Sequence, residues 1–272
     1  MKLSCLPVSL FTQIIEGQIS IGEYAEFAAG IGLDAIDLNV ICLKNHTEKY
    51  LKSVRKSIED TGIGLTMLTT YSDFTHPDEE QREREFAHCV SDIATAAQLG
   101  AKYLRITAGQ GHKPGNTDEQ LKAAAVYFAR CLEWAEKFRV ELLYENHSKP
   151  GAWDEPDILY DPDLFLKFAK MLADAGINID INYDTANSWA YGADPVLILE
   201  KVYDKVKTIH VSDMKERYTL QFSEIGKETV PIKEIVSCAK EKGFDGWLCI
   251  EEVSGQGFEG IKRAVSWVRK EL

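Results

Sequence analysis

The chain has 272 residues, 45% of them hydrophobic and 27% charged, which is enough apolar material for a large core and excludes a disordered, collagen-like or disulfide-stapled chain. Its formal charge of −12 repels a phosphate backbone or an anionic membrane, so neither nucleic acid nor membrane is an expected partner. The six cysteines are widely spaced and form no C-x-x-C pair, which points to reduced, buried thiols and not to a cysteine metal site. The opening Met1-Lys2-Leu3-Ser4-Cys5-Leu6-Pro7 reads as a first strand and not as a signal peptide, and no run of 18 apolar residues occurs; cytosol is the expected compartment.

In chain order, short apolar runs predict strands over Lys2–Val8, Leu33–Leu38, Leu65–Thr70, Tyr103–Thr107, Val140–Glu145, Ile179–Asp184, Val206–Val211 and Trp247–Glu252. Amphipathic stretches separate them. Ser20-x-x-Glu23 and Thr117-x-x-Gln120 read as capping boxes, and Asp161-Pro162 and Asp194-Pro195 as N-caps followed by proline. Gly32, Gly62, Gly100, Gly176 and Gly243 stand where helices should end. Eight β/α repeats with no linker predict one (β/α)8 TIM barrel over 1–272; a doubly wound sheet is the competing arrangement.

Barrel chemistry gathers at the C-terminal ends of strands. Four consecutive strands end in polar groups: Tyr144-Glu145-Asn146-His147, Tyr183-Asp184-Thr185, His210-Val211-Ser212-Asp213 and Ile250-Glu251-Glu252. Three carboxylates and one imidazole converging on one mouth repel one another unless a cation joins them. Mostly oxygen ligands with one nitrogen suit Mn²⁺ foremost, with Mg²⁺, Co²⁺ or Zn²⁺ as further candidates. Taken singly, either glutamate also fits a helix cap and His210 a rim histidine. Adjacent side chains on a strand face opposite ways, so only one of Glu251 and Glu252 can serve; a small or polar inner face favours Glu251.

These motifs resemble the xylose-isomerase-like superfamily of TIM barrels, which includes sugar and sugar phosphate isomerases and epimerases, hydroxypyruvate isomerases, inosose dehydratases and endonuclease IV. The resemblance covers nearly the whole chain. It implies metal ligands at Glu145, Asp184, His210 and Glu251, with the two glutamates also moving protons. Ketose 3-epimerases of the family commonly carry histidine where Asn187 stands and glutamate where Gly151 stands, which argues against a typical free-ketose 3-epimerase. Endonuclease IV needs a histidine-rich trinuclear zinc site, including a histidine beyond the strand-seven H-x-x-D, and none of the six histidines here follows His210.

The expected activity is isomerisation or epimerisation of a sugar, ketose or sugar-phosphate-like substrate. A proton would be abstracted next to a carbonyl through a metal-stabilised enediolate, with Glu145 and Glu251 as the catalytic pair. Dehydration of an inosose or related keto-polyol is the alternative, and a non-catalytic sugar-binding barrel a third. His112, Asn187, Lys215 and Arg217 are the candidate substrate-binding residues. The loop Gly109-Gln110-Gly111-His112-Lys113-Pro114-Gly115 could cradle substrate oxygens, and Trp153 and Trp189 could wall a sugar pocket. The partner is a small sugar or polyol, with a homo-oligomer allowed.

Overall fold

The computed structural model describes residues 1–113, 115–227 and 229–272. Pro114, part of the expected glycine-containing loop, lies outside the described residues. Eight parallel strands form a nearly closed barrel: β1 (Lys2–Leu6), β2 (Ala35–Asn39), β3 (Gly64–Thr69), β4 (Tyr103–Ile106), β5 (Glu141–Glu145), β6 (Asp180–Asp184), β7 (Val206–Val211) and β8 (Trp247–Glu251). Sequence-adjacent strands pair from β2 through β8, and β8 pairs with β1. At the seam between β1 and β2, Asp34 N donates to Leu3 O (2.9 Å), Leu3 N donates to Asp34 Oδ2 (2.8 Å), and Ser4 Oγ donates to Asp37 Oδ2.

Among the described residues, eight helices of eight residues or more surround the strands: α1 (Ile21–Gly30), α2 (Glu48–Glu59), α3 (Glu79–Leu99), α4 (Thr117–Phe138), α5 (Pro162–Asp174), α6 (Pro195–Val202), α7 (Ile232–Glu241) and α8 (Gly257–Glu271). Local chemistry sets their ends. The Ser20–Glu23 capping box is present, and Asp161 and Asp194 each cap a helix that begins with proline. All five glycines expected after helices take a positive φ.

Two local expectations are corrected. Strand β1 ends at Leu6, because Pro7 has no N–H to continue a ladder, and Val8–Leu10 form a 3-10 turn. Helix α4 is capped by Asn116, not Thr117: Asn116 Oδ1 accepts from Asp118 N (3.0 Å), and asparagine caps better than threonine. Gln120 therefore closes no box. Its amide instead brackets His112, donating to His112 O (2.9 Å) while accepting from His112 N (3.1 Å).

The core has two parts, and they identify the faces of each strand. Met67, Tyr103, Leu143 and Cys249, with Trp247 against them, form a small cluster inside the barrel. Leu104, Leu142, Tyr144, Leu248 and Ile250 belong to the large layer between strands and helices. Alternation then directs Arg105, Glu145 and Glu251 inward and Glu252 outward. All six cysteines are free, and five are buried. No helix among the described residues is long and apolar enough to cross a membrane.

Candidate functional site

The mouth of the barrel brings Glu145, Asp184 and His210 together, with one ligand atom of each within 4.8 Å of the others. Register explains part of this: Asp184 lies directly opposite His210 across the β6–β7 ladder. His210 Nδ1 is 3.5 Å from Glu145 Oε1 and 4.0 Å from Glu251 Oε2. Glu251 thus borders the tight trio without being part of it. Its neighbour Glu252 is fully turned away, and its Oε1 accepts from Ser254 N (2.9 Å) beside the first turn of α8.

A turn fixes Asp184. Its Oδ1 accepts from Ala186 N (2.8 Å) and Asn187 N (2.7 Å), and its Oδ2 from Ser212 Oγ (2.7 Å). Asn146, next to Glu145, spans the two strands by accepting from Asp184 N (2.8 Å) and donating to Asp184 O (3.0 Å). The ends of β5 and β6 that carry Glu145 and Asp184 are therefore tied to each other. That is the rigidity a coordinating site needs.

Electrostatically the cluster is in conflict. Burial, with the Glu251 and Glu145 charges added, pushes the Asp184 carboxyl up to about 8. Burial and Glu145 also raise the Glu251 carboxyl. Burial works against ionised Glu145 too, but Arg105 and then His210 outweigh it and hold that carboxyl well below the usual range. Burial opposes a charge on His210, yet Glu145 and Glu251 prevail and raise it to about 9. Neither His210 ring nitrogen makes a well-formed hydrogen bond. A buried imidazole in that state, facing three carboxylates, is a donor set short of positive charge. A divalent cation fits it, with Glu145, Asp184, His210 and Glu251 as the residues that would hold it.

The remaining expected residues divide. Asn187 lies in the mouth, buried, with its Oδ1 lacking a hydrogen-bond partner. Trp153 stands against Tyr71, ring centroids 6.3 Å apart, and Tyr71 against His147 at 5.4 Å, which makes an aromatic wall over Glu145 and its neighbours. The other candidates point elsewhere. His112 Nε2 lies 2.9 Å from Asp73 Oδ2, and its ring packs edge-on to His76. Arg217 stacks on Trp189 at 4.4 Å and donates to Gly192 O, while Trp189 Nε1 donates to Thr229 Oγ1 (3.0 Å). Lys215 is exposed. Its backbone N donates to Gln221 O (2.9 Å) beside the short ribbon of Asp213–Met214 and Phe222–Ser223.

Two further residues stand at the mouth: Arg105, which the inspection of strand ends misses, and His147, which closes the strand-five motif without an expected role. Arg105, fully buried within β4, has its Nε 2.9 Å from Glu145 Oε2 and its guanidinium 4.9 Å from the Tyr71 ring centre. A signal existed: an arginine two residues after Tyr103 shares Tyr103's inward face. His147 is buried two residues past Glu145, its Nδ1 has no partner, and burial lowers its imidazole to about 3, so it is neutral.

Residues 25–271 match the family described as xylose isomerase-like TIM barrel. An inosose dehydratase of Lacticaseibacillus casei is 23% identical over 204 residues, a match taking in 62% of this chain and 60% of that protein's length. The probable 3-DHS dehydratase of Bacillus anthracis superposes with a TM-score of 0.81 at 17% identity, over 99% of each chain. A D-psicose 3-epimerase solved in the presence of D-fructose gives 0.78 at 16% identity, over 100% of this chain and 99% of that one. At such identities the structural likenesses show the fold alone.

Proposed function

The chain belongs to the xylose isomerase-like TIM barrel family, and from that premise we propose that it is a divalent-metal enzyme removing a proton next to the carbonyl of a keto-polyol. The observation that carries this reading is the inequality of its two inward glutamates. Glu145 is pinned as a carboxylate by Arg105, whereas Glu251 is raised by burial and by Glu145 itself. A pair pushed apart in this way suits unequal roles: Glu251 takes and returns the proton, and Glu145 stays charged. The bound ion would supply positive charge to the carbonyl and neighbouring hydroxyl oxygens, so that the adjacent C–H becomes acidic.

The chain's own groups do the rest. Asn187 Oδ1 accepts from a substrate hydroxyl, and Arg105 Nη2 and His147 Nδ1, both without partners, lie at the mouth as further polar contacts. The Tyr71–Trp153 wall covers the apolar face of the polyol and excludes water. If a hydroxyl sits β to the carbonyl, Glu251 can hand the abstracted proton to it. Water then leaves and an enone remains, with no redox partner needed.

Dehydration is the outcome we favour. The curated relative matched over 204 residues is an inosose dehydratase, and Asn187 and Gly151 stand where free-ketose 3-epimerases commonly carry histidine and glutamate. Isomerisation or epimerisation is the second reading. It is favoured by Glu251 and Glu145 sharing one inner face of the barrel, where two carboxylates can exchange a proton with one substrate. The test is incubation of the Mn²⁺-loaded protein in D2O with ketoses, inososes and hydroxypyruvate. Loss of water from an inosose supports the first reading, and deuterium at an α-carbon without water loss supports the second. Neither change with any of these compounds would defeat both.

A further inference from the structure

Beside the metal-type cluster, on the same rim, a pocket of about 360 Å3 opens between the loops that follow β4 and β5. Its walls include His112, Gln120, Asp157, Tyr160, Leu164 and Tyr191. Backbone hydrogen bonds clamp its floor to the two strands. Asp157 N donates to Ser148 O (2.7 Å), three residues past Glu145, and Ile158 N donates to Gly109 O (2.8 Å), three past the end of β4. The pocket is therefore built onto the strand that carries Glu145.

Its side chains are held in place before any ligand arrives. The Asp73 contact and the Gln120 amide fix His112. The Tyr160 and Tyr191 rings meet edge to face at 5.3 Å, and Tyr191 Oη donates to Asp161 Oδ2 (2.7 Å). Leu164 adds an apolar surface. Asp157 is the exception: it is 2% exposed, its Oδ1 accepts from Leu159 N (2.8 Å), and its Oδ2 has no partner. Burial raises its carboxyl well above the usual range, and the nearby Glu145 charge adds to the rise. A buried oxygen left in that state carries an unmet desolvation cost, which a hydroxyl on a ligand would offset.

An aromatic and aliphatic wall with one unpartnered carboxyl oxygen at its floor suits a ring that has an apolar face and a hydroxyl edge. We propose that this pocket receives a hydroxyl-bearing six-membered ring carried by the substrate beyond its reacting ketone, so that the enzyme acts on a glycoside and not on a free monosaccharide. The inference rests on the keto-polyol reading of the neighbouring cluster. It gives His112 a place at the distal ring, away from the reacting carbon.

Binding distinguishes the two readings, because it needs no turnover. Calorimetric titration of the full Mn²⁺-loaded chain with methyl β-D-glucoside, cellobiose and arbutin compares no second ring, a sugar ring and a phenol ring. At least one two-ring ligand should bind about tenfold or more tightly than the methyl glucoside, and which one does so tells a glycosyl from a phenolic ring. Leu164→Trp, which fills the pocket, and Tyr160→Ala, which removes a wall, should each erase that gain, with Mn²⁺ binding as the check on folding. Equal affinities, a gain that survives both variants, or no binding of any of the three overturns the glycoside proposal. The proton-exchange result would stand in each case.

Discussion

The guanidinium of Arg105 lies 2.9 Å from the Glu145 carboxylate, with both side chains buried at the base of the mouth. The cluster therefore contains a permanent cation of the protein's own, which holds one of its carboxylates ionised. Removing one member of such a pair strands the other. Arg105→Met should destabilise the metal-free protein by about 3–5 kcal/mol, and Arg105→Met with Glu145→Gln should recover much of that loss. Urea unfolding of the three proteins measures it. A single variant within about 1 kcal/mol of wild type would mean that water already screens the pair.

Metal binding should release protons. Asp184, pushed up to about 8, and His210, raised to about 9, both hold protons at neutral pH in the metal-free cluster, whereas a ligand must be deprotonated. Affinity for Mn²⁺ should consequently rise with pH through the window up to about 9, with about two protons released per ion near pH 7. Titration calorimetry in two buffers of different ionisation enthalpy counts them. Zero release near pH 7, or tighter binding at pH 6 than at pH 8, would rule out this ligand set.

The fold was readable because each device that shapes it is local. Eight apolar runs, the aspartate–proline helix starts and the glycines after helices all act within a few residues, and the strands differ from expectation only by a residue or two at their ends. Glu145, Asp184 and His210 were readable for a related reason: strand ends are short-range features, and the barrel brings them to one rim. Arg105 was missed because its importance is non-local, lying in a partner on the neighbouring strand. Lys215 and Arg217 show the converse. Their charge suggested a substrate, but loop geometry places Arg217 against Trp189 and leaves Lys215 exposed on the ribbon side. Loop paths of that kind depend on contacts far apart in sequence, which spacing does not encode.

Gly109 should be intolerant of a side chain. Its φ of +132° is open to glycine, and a Cβ there would collide with Asp73 Oδ1 and Thr75 Oγ1. Those two atoms anchor the loop after β4, since Thr75 Oγ1 donates to Gln110 O (2.6 Å) and Gln110 N donates to Asp73 Oδ1 (3.1 Å). Gly109→Ala should cost about 2 kcal/mol or more, by strain and by steric clash together. Amide hydrogen exchange should show faster exchange over 109–113 while β4 itself stays protected. Wild-type exchange in that loop would show that it tolerates the extra methyl group.

Glu251 and Glu252 provide the sharpest comparison, because they are neighbours of the same chemistry, the last residue of β8 and the one after it, turned in opposite directions. Trp247 and Cys249 lie with the inner cluster and Leu248 and Ile250 with the outer layer, so Glu251 looks into the mouth and Glu252 toward α8. Glu251→Gln keeps an oxygen that can still approach a cation but cannot accept a proton. Turnover should fall by about 10²-fold or more, the range for a lost general base, while Mn²⁺ binding weakens only modestly. Glu252→Gln should stay within a few-fold of wild type in turnover. Glu252→Ala should instead lower stability by about 1–2 kcal/mol, because Ser254 N loses its acceptor beside the start of α8. Steady-state turnover, bound Mn²⁺ and urea midpoints for the three variants separate these effects. An inactive Glu252→Gln that folds normally, next to an active Glu251→Gln, would reverse the assignment and take the proton-transfer role from Glu251.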